Sequence, residues 1–271
     1  MSEILTDLSA ETLTAAIEEN LAEFCALFRN WEQAEIHVSP EIMWTMTDIP
    51  FPLFNGIFQA RLDPEQVNET IEAAMARAQS GNVPVLWWTG PATRPVDLGA
   101  TLVSHGFAPI GGPPGMAMDL RALPADTPAP AGLTIEQVDT EDTLKLWSQI
   151  FGAGFGFPEF IADAFYSFIA SQGLAADQPL RNYIGWLNGE AVGISSLLLG
   201  AGVAGIYNVA TLPAAQRQGI GSAMTLHPLH EARLMGYRAA VLQSSDSGIG
   251  VYRKLGFQEY CQLEQFMWPV E

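Results

Sequence analysis

Residues 208–224 carry the clearest chemical potential in this chain of 271 residues. A β-branched run, Ile206 to Thr211, breaks at Leu212-Pro213, because proline restricts both itself and the residue before it. Gln216-Arg217-Gln218-Gly219-Ile220-Gly221-Ser222 follows, and a helix-like segment opens directly behind it. The two glycines let the backbone approach a ligand closely, and the first N–H groups of a helix are free to point at it. Strand, tight turn and helix N-terminus in this order suit a phosphate or pyrophosphate. A plain helix-start turn would share the two glycines. The spacing matches neither the P-loop nor the dinucleotide G-x-G-x-x-G. His227 and His230 beside Glu231 have the residue types of a metal site. Pro228 lies between them and no third ligand is evident, so they read as structural.

The turn resembles the Gln/Arg-x-x-Gly-x-Gly/Ala motif of the GCN5-related N-acetyltransferases (GNAT), carried here as Gln216 to Gly221. Downstream, Leu242-Gln243-Ser244-Ser245-Asp246-Ser247-Gly248-Ile249-Gly250-Val251-Tyr252-Arg253-Lys254-Leu255-Gly256-Phe257 is similar to that family's strand, helix and Tyr-x-x-x-Gly-Phe ending. The two motifs stand in family order and near family spacing, and the resemblance covers roughly the second half of the chain.

That resemblance implies a set of roles, with acetyl-CoA as acyl donor. The strand before the turn would splay from its neighbour, so that Val209, Ala210 and Thr211 pair with the pantetheine arm as an added strand would. A backbone N–H in the same strand would polarise the thioester carbonyl. The pyrophosphate would rest on the N–H groups of Arg217, Gln218, Gly219, Ile220, Gly221 and Ser222, behind Gln216. Tyr252 stands at the family's general-acid position. A phenol with its ordinary pKa near 10 stays protonated at neutral pH and can donate to a departing thiolate. Ser245 stands where many members have Asn and Gly248 where many have Ala; both are expected at the cofactor. Many relatives carry a glutamate on the strand leading to the turn, but residues 203–211 contain no acid. That leaves Tyr207 or Asn208 to order a water, with pre-organised geometry doing much of the work. Pro228 departs from a regular helix and is expected to kink it. The glycine-rich stretch 152–158, with Phe155, Phe157, Phe160, Phe165 and Tyr166, could wall an acceptor pocket or be core plus a connection.

Composition sets outer limits. Hydrophobic residues make up 48% and charged residues 15%, which gives a sizeable core. Thirty acids against 12 bases leave a formal charge of −18, which argues against a basic face for nucleic acid or anionic membrane. The same acidity would suit a cationic substrate or serve solubility. No apolar run reaches the length of a membrane helix, and the N-terminus lacks signal-peptide character, so cytoplasm is the expected compartment. Cys25 and Cys261, far apart, fit a reducing compartment and read as buried apolar fillers.

Hydrophobic periodicity predicts the elements that must position these groups. A helix over about 9–28 is followed by strands near 35–38, 42–47 and 52–62, then a helix over 64–79 with Pro64 in its first turn. A strand at 83–89, a helix at 94–105 and a strand at 116–120 complete the first half. After a proline-rich linker at 122–132 come a strand at 133–138 and helices at 141–151 and 159–172. A hairpin through Asn188-Gly189, a strand at 203–211, a helix at 219–235 and a strand at 239–243 follow. A short helix to Leu255 and a closing strand pair to Trp268 end the chain. The halves resemble one another: Gly106-Phe107 matches Gly256-Phe257, and 52–62 with its helix matches 203–211 with its helix. The first copy has Asp63-Pro64-Glu65-Gln66 instead of a glycine turn, and Leu102 where Tyr252 would stand. The fold class expected is α/β, two tandem GNAT-like domains at 1–121 and 133–271, each a mixed, mostly antiparallel twisted sheet flanked by helices, the first degenerate. The function expected is transfer of an acetyl group to a primary amine of a small molecule; the rival is a non-catalytic acyl-CoA-binding or regulatory module. The first half could serve as a homodimer platform under either reading.

Overall fold

The computed structural model describes residues 3–123 and 129–269; the middle of the expected linker, 124–128, lies outside the described residues. In chain order the elements are α1 (Ala10–Ala26), β1 (Glu35–Val38), β2 (Met43–Met46), β3 (Gly56–Phe58), α2 (Val67–Gly81), β4 (Val85–Thr89), α3 (Leu98–Ser104), β5 (Ala108–Gly111) and β6 (Pro114–Asp119). Then come β7 (Leu133–Gln137), α4 (Glu141–Phe155), α5 (Glu159–Ser171), β8 (Leu180–Leu187), β9 (Glu190–Gly200), β10 (Val203–Thr211), α6 (Ile220–Leu234), β11 (Ala239–Gln243), α7 (Ile249–Leu255), β12 (Gln258–Gln262) and β13 (Glu264–Trp268). They build two mixed sheets flanked by helices, ordered β1-β2-β3-β4-β13-β5 and β12-β6-β11-β10-β9-β8-β7.

The two compact units do not follow chain order. One joins the segment ending at Asn20 to Met116–Gln258; the other joins Leu21–Gly115 to the segment beginning at Glu259. Each sheet therefore holds a strand from the opposite half of the sequence: β6 lies between β12 and β11, and β13 between β4 and β5. Only Leu263 separates β12 from β13, yet they enter different sheets. The closing strand pair expected from sequence is thus two strands with different neighbours.

Local chemistry explains most boundaries. Thr140 and Thr143 form a capping box that starts α4. Asn188 and Gly189 both take positive φ, 53° and 87°, and close the β8–β9 hairpin as a type I′ turn requires. The expected strand at 52–62 is only β3, because Pro52 starts a short 3₁₀ turn, Pro52–Phe54. Helix α2 starts at Val67, so Pro64 lies before it rather than in its first turn. Strand β5, not anticipated, is exposed along its whole length and so lacks the alternation that marks a strand in sequence. The glycine-rich stretch 152–158 is largely helix: α4 runs through Gly152 and Gly154 and stops at Gly156. Gly154 brings α4 so close to β10 that a Cβ there would stand 2.8 Å from that of Ala210. Phe165 stacks on Phe151 at 4.2 Å and on Trp147 at 6.0 Å, all three buried, and is core rather than pocket wall. Phe155 and Phe160 stay exposed, and Phe157 and Tyr166 half-buried.

The likeness of the halves is visible in backbone bonds. Phe107 N–H donates to the Leu102 carbonyl at 3.1 Å after α3, and Phe257 N–H donates to the Tyr252 carbonyl at 3.0 Å after α7. Leu102 and Tyr252 therefore hold equivalent positions. Each sheet also contains a short parallel ladder of two pairs, Gly56↔Leu86 and Ile57↔Trp87 in one, Ala204↔Ala240 and Gly205↔Val241 in the other.

Candidate active site

Strand β10 is the axis of the site. Its parallel ladder with β11 ends at Gly205↔Val241, so from Ile206 onward the two strands splay. On its other edge β10 follows β9 but slips: Tyr207 faces Ser196 and Ala210 faces Ile194, leaving Asn208 and Val209 opposite Ser195. This is a β-bulge, and Asn208 at its head has φ 53°. The splay leaves the β11-facing backbone of Val209, Ala210 and Thr211 outside that ladder, beside an opening wedge. Such a strand edge can accept an extended chain by backbone pairing.

The glycine turn stands at the mouth of the wedge. Gln216 Nε2 donates to the Thr211 carbonyl at 3.2 Å and fastens the turn to the strand. Gly219 is the N-cap of α6 with φ 85°, and Arg217 takes φ 61°, a conformation that costs a non-glycine residue of order 1–3 kcal/mol. Gln216, Arg217, Gln218 and Gly219 are exposed, Gly221 and Ser222 half-buried, and the Ile220 side chain is buried as the anchor of the turn. The first N–H groups of α6 have no intrahelical acceptor and face outward at the positive end of the helix. A Cβ at Gly221 would meet only Thr211 Oγ1, at 3.8 Å. Packing does not demand glycine there, and the free space lies where an anion would rest.

Tyr252 reaches toward α6 from α7. Its hydroxyl lies beside Thr225, whose Oγ1 donates to the Gly221 carbonyl at 2.9 Å, and its ring packs edge-on to Phe257 at 5.9 Å. Burial pushes the phenol up to about 12, with the Thr225 bond pulling the other way. Gly248 lies under the ring: a Cβ there would stand 2.8 Å from Tyr252 Cε2. Ser245 Oγ accepts the Gly248 N–H at 3.2 Å and lies 3.1 Å from Ser247 Oγ, so it shapes the start of α7. Ser245, Gly248 and Tyr252 thus form one local set, and the turn residues 216–222 with Val209–Thr211 form another.

Pro228 leaves α6 continuous and is compensated from β9. The helix passes through it unbroken in extent, and the carbonyl deprived of a donor by proline is that of Met224, four residues earlier. Ser195 Oγ donates to that carbonyl at 2.8 Å from the middle of β9. Further along the same helix face, the Tyr183 hydroxyl donates to Glu231 Oε2 at 2.6 Å, and His227 Nε2 lies 3.4 Å from Glu231 Oε1. These contacts, His227 first, hold the Glu231 carboxyl below its usual range, while burial and then Glu231 raise the Tyr183 phenol. Among the described residues no group of three His, Cys, Asp or Glu side chains is placed to hold a metal ion.

Sequence reasoning missed a polar line on the opposite face of β9. Asn208 Nδ2 donates to Ser196 Oγ at 3.0 Å, and Ser196 Oγ donates to Asn182 Oδ1 at 2.6 Å. Nearby, the Tyr207 hydroxyl donates to Asn20 Oδ1 at 2.7 Å, and Asn20 Nδ2 to the Gly200 carbonyl at 2.8 Å. Asn20, Asn182 and Ser196 are all buried. The available signal was a Ser-Ser pair in the middle of an otherwise apolar strand, which implies fixed partners.

The first half lacks this opening. Past β3 the chain returns to the loop after β4: Arg61 and Arg94 form a parallel bridge, Leu62 N–H donates to the Arg94 carbonyl at 3.0 Å, and Arg94 N–H to the Ala60 carbonyl at 2.9 Å. Backbone therefore closes the wedge that stays open beside β10. Asp63 and Glu65 are exposed ahead of α2, where the other copy has its glycine turn.

The model of the Acetyltransferase (GNAT) family matches residues 141–257. This part of the chain belongs to the GNAT family. The matched region contains β10, the turn, α6, α7 and every candidate site residue named above. Solved structures extend the likeness of fold to the whole chain. A GCN5-related N-acetyltransferase from Kribbella flavida superposes with TM-score 0.68 at 18% identity, covering 98% of this chain and 97% of that one. One from Sphaerobacter thermophilus gives 0.65 at 14%, covering 100% and 96%. A tandem GNAT protein from the clavulanic acid biosynthesis pathway gives 0.61 at 13%, covering 99% and 98%. At these identities the match is one of fold, and that fold is the tandem GNAT arrangement. No curated protein matches the chain.

Proposed function

We propose that the chain is an N-acetyltransferase that moves an acetyl group from acetyl-CoA to a primary amine of a small molecule. The observation that carries this reading is the wedge between β10 and β11, open at the bulge and closed by backbone in the first half. Acetyl-CoA would supply the acyl group as a thioester. The edge of Val209–Thr211 would pair with its pantetheine amides, and the N–H groups of residues 217–222 would receive its pyrophosphate. An N–H at the bulge, freed from the β9 register, is suited to polarise a carbonyl. Tyr252 holds the proton needed by a leaving sulfur.

A non-catalytic acyl-CoA-binding module is favoured by one observation, the absence of any acid in Val203–Thr211. The experiment that tests both is thermal unfolding with acetyl-CoA, with free CoA and ATP as controls, followed by thiol release with an amine panel. A ligand at a hundred times its dissociation constant adds about 2.7 kcal/mol. A shift with acetyl-CoA and not with ATP, plus turnover, supports the enzyme. A shift with no turnover supports the binding module, and no shift removes both.

A further inference from the structure

We propose that the attacking amine is received by the carboxamide of Asn208, held in place by Ser196 and Asn182, and that the acceptors are weakly basic amines, uncharged near neutral pH. This rests on the acetyltransferase reading above. Ser196 has a single hydroxyl proton, which it gives to Asn182 Oδ1. It can then only accept from Asn208, which fixes Asn208 with its NH₂ toward Ser196 and its carbonyl oxygen turned away. Asn208 sits at the head of the bulge, past the end of the β10–β11 ladder, on the strand stretch to which the acetyltransferase reading assigns the thioester. Tyr207, the alternative on this strand, has its proton committed to buried Asn20.

Strands β8, β10 and β11 contain no carboxylate, and β9 has only Glu190, its first residue, at the far hairpin end. The helices on this face carry Glu18 and Glu19 on α1, Glu141, Asp142 and Lys145 on α4, and Glu159 and Asp163 on α5. All are exposed except Glu18, which is half-buried. Glu11 and Glu23 on α1 are also exposed, Tyr166 on α5 and Tyr252 on α7 are half-buried phenols, and Arg253 and Lys254 follow Tyr252 on α7. Arg181 and Tyr183 lie on β8, and His227, His230, Glu231 and Arg233 belong to α6, which packs on the face of β9 that Ser195 addresses.

A carboxamide accepts a hydrogen bond but does not take a proton. It therefore orients an amine that arrives as the free base and does nothing for an ammonium. An alkylamine near pKa 10.4 is neutral in roughly one molecule per thousand at pH 7.4, whereas an amine below about 7 is mostly neutral. The step balances without a protein base. The amine nitrogen forms a bond to the carbonyl carbon as the C–S bond breaks. The nitrogen loses one proton to water, and Tyr252 gives one to the sulfur and recovers it from water.

The test uses the full chain with acetyl-CoA and primary amines of matched size but different basicity: an arylamine, an amino-acid amide and an arylmethylamine. kcat/KM is measured by thiol release from about pH 3.5 to 10, a window that spans both a carboxylate and the amines. Expected is a rising limb that follows each amine's own pKa. Asn208→Gly tolerates the positive φ while removing the carboxamide. It should lose about tenfold or more in kcat/KM for the amine at unchanged KM for acetyl-CoA. Asn208→Asp should add a limb at a carboxylate pKa and improve the arylmethylamine relative to the arylamine. One limb shared by all amines would reveal a protein base and overturn the proposal. Full activity of Asn208→Gly would do the same, since a side chain needed only for the bulge is replaceable by glycine. Binding of acetyl-CoA without turnover of any amine defeats this inference, whereas absence of acetyl-CoA binding defeats the acetyltransferase reading itself.

Discussion

Ser195 and Pro228 should be energetically coupled, although 33 positions part them in the numbering. The Ser195 hydroxyl, fully buried, supplies to the Met224 carbonyl the hydrogen bond that Pro228 cannot. In Ser195→Ala that carbonyl is left buried without its side-chain donor, at a cost of about 1–3 kcal/mol. A carbonyl tolerates poor satisfaction better than an N–H, which places the expectation near 1–2 kcal/mol, or a fall in Tm of roughly 2–8 °C. Pro228→Ala restores an N–H to the same carbonyl. In that background Ser195→Ala should cost less than about 1 kcal/mol, because a second donor is already in place. The cycle therefore predicts a coupling near 1 kcal/mol, beyond the 0.3–0.5 kcal/mol scatter of independent sites. The assay is urea and thermal unfolding of the four proteins, followed by tryptophan fluorescence; the Trp147 indole donates to the Ser195 carbonyl at 3.4 Å and reports on the same region. Equal costs of Ser195→Ala in both backgrounds would show that the hydroxyl does not substitute for the missing N–H.

Three other outcomes follow from the same geometry. Tyr252→Phe should keep the acetyl-CoA-induced thermal shift and lose about a hundredfold in kcat, the low end for a general acid. A phenol at about 12 yields its proton to a thiolate near 8.5 uphill by roughly 5 kcal/mol, and unchanged kcat would remove it from the chemistry. Gly219→Ala should weaken acetyl-CoA binding at least tenfold, and Gly219→Asn, which tolerates φ 85°, should recover stability before it recovers binding; equal binding of all three would mean the turn holds no anion. Glu231 is held below its ordinary value, so its contribution is present above about pH 4.5 and fades as acid protonates it. Screening at this partly exposed site limits it to under about 1 kcal/mol. Glu231→Gln should accordingly flatten the acid limb of stability, and an unchanged limb would show that other carboxylates set it.

The chemistry of the turn was legible because it is local. A β-branched run, Leu-Pro, and two glycines before an apolar helix describe one short loop, and β10, β11 and the end of α7 fall where periodicity placed them. The Gly-Phe endings were legible for the same reason, since the helix end and the bond from Phe257 to the Tyr252 carbonyl lie within six residues. The polar line Asn182–Ser196–Asn208 was not, because its members come from three strands and become a set only through register. Likewise the glycines of 152–158 read as a loop, since only the distance from Gly154 to Ala210 shows that they let α4 press onto β10.

Strand exchange lies further from reach, for a reason general to sheets. Alternation in a strand records which side chains are buried, and says nothing about which edge will be its neighbour. Both β6 and β13 follow a helix, a Gly-Phe ending and a short strand, so each reads as the last strand of its own half. Their burial shows what the exchange costs to undo: Met116, Ala117 and Met118 in β6, and Phe266 in β13, are buried. A fragment beginning at residue 129 would leave β11 and β12 with an empty lane between them and expose the core that Met116 and Met118 cover. Burying a large apolar side chain contributes about 1.5–3 kcal/mol, so loss of two methionines and an interior strand consumes most of a domain's ordinary stability. Expressed alone, such a fragment should show no cooperative melt, and mixing it with a fragment ending at residue 123 should restore one. A cooperative melt of the isolated fragment would mean that the lane is filled from its own half, and that the exchange is not required for the GNAT-family unit to fold.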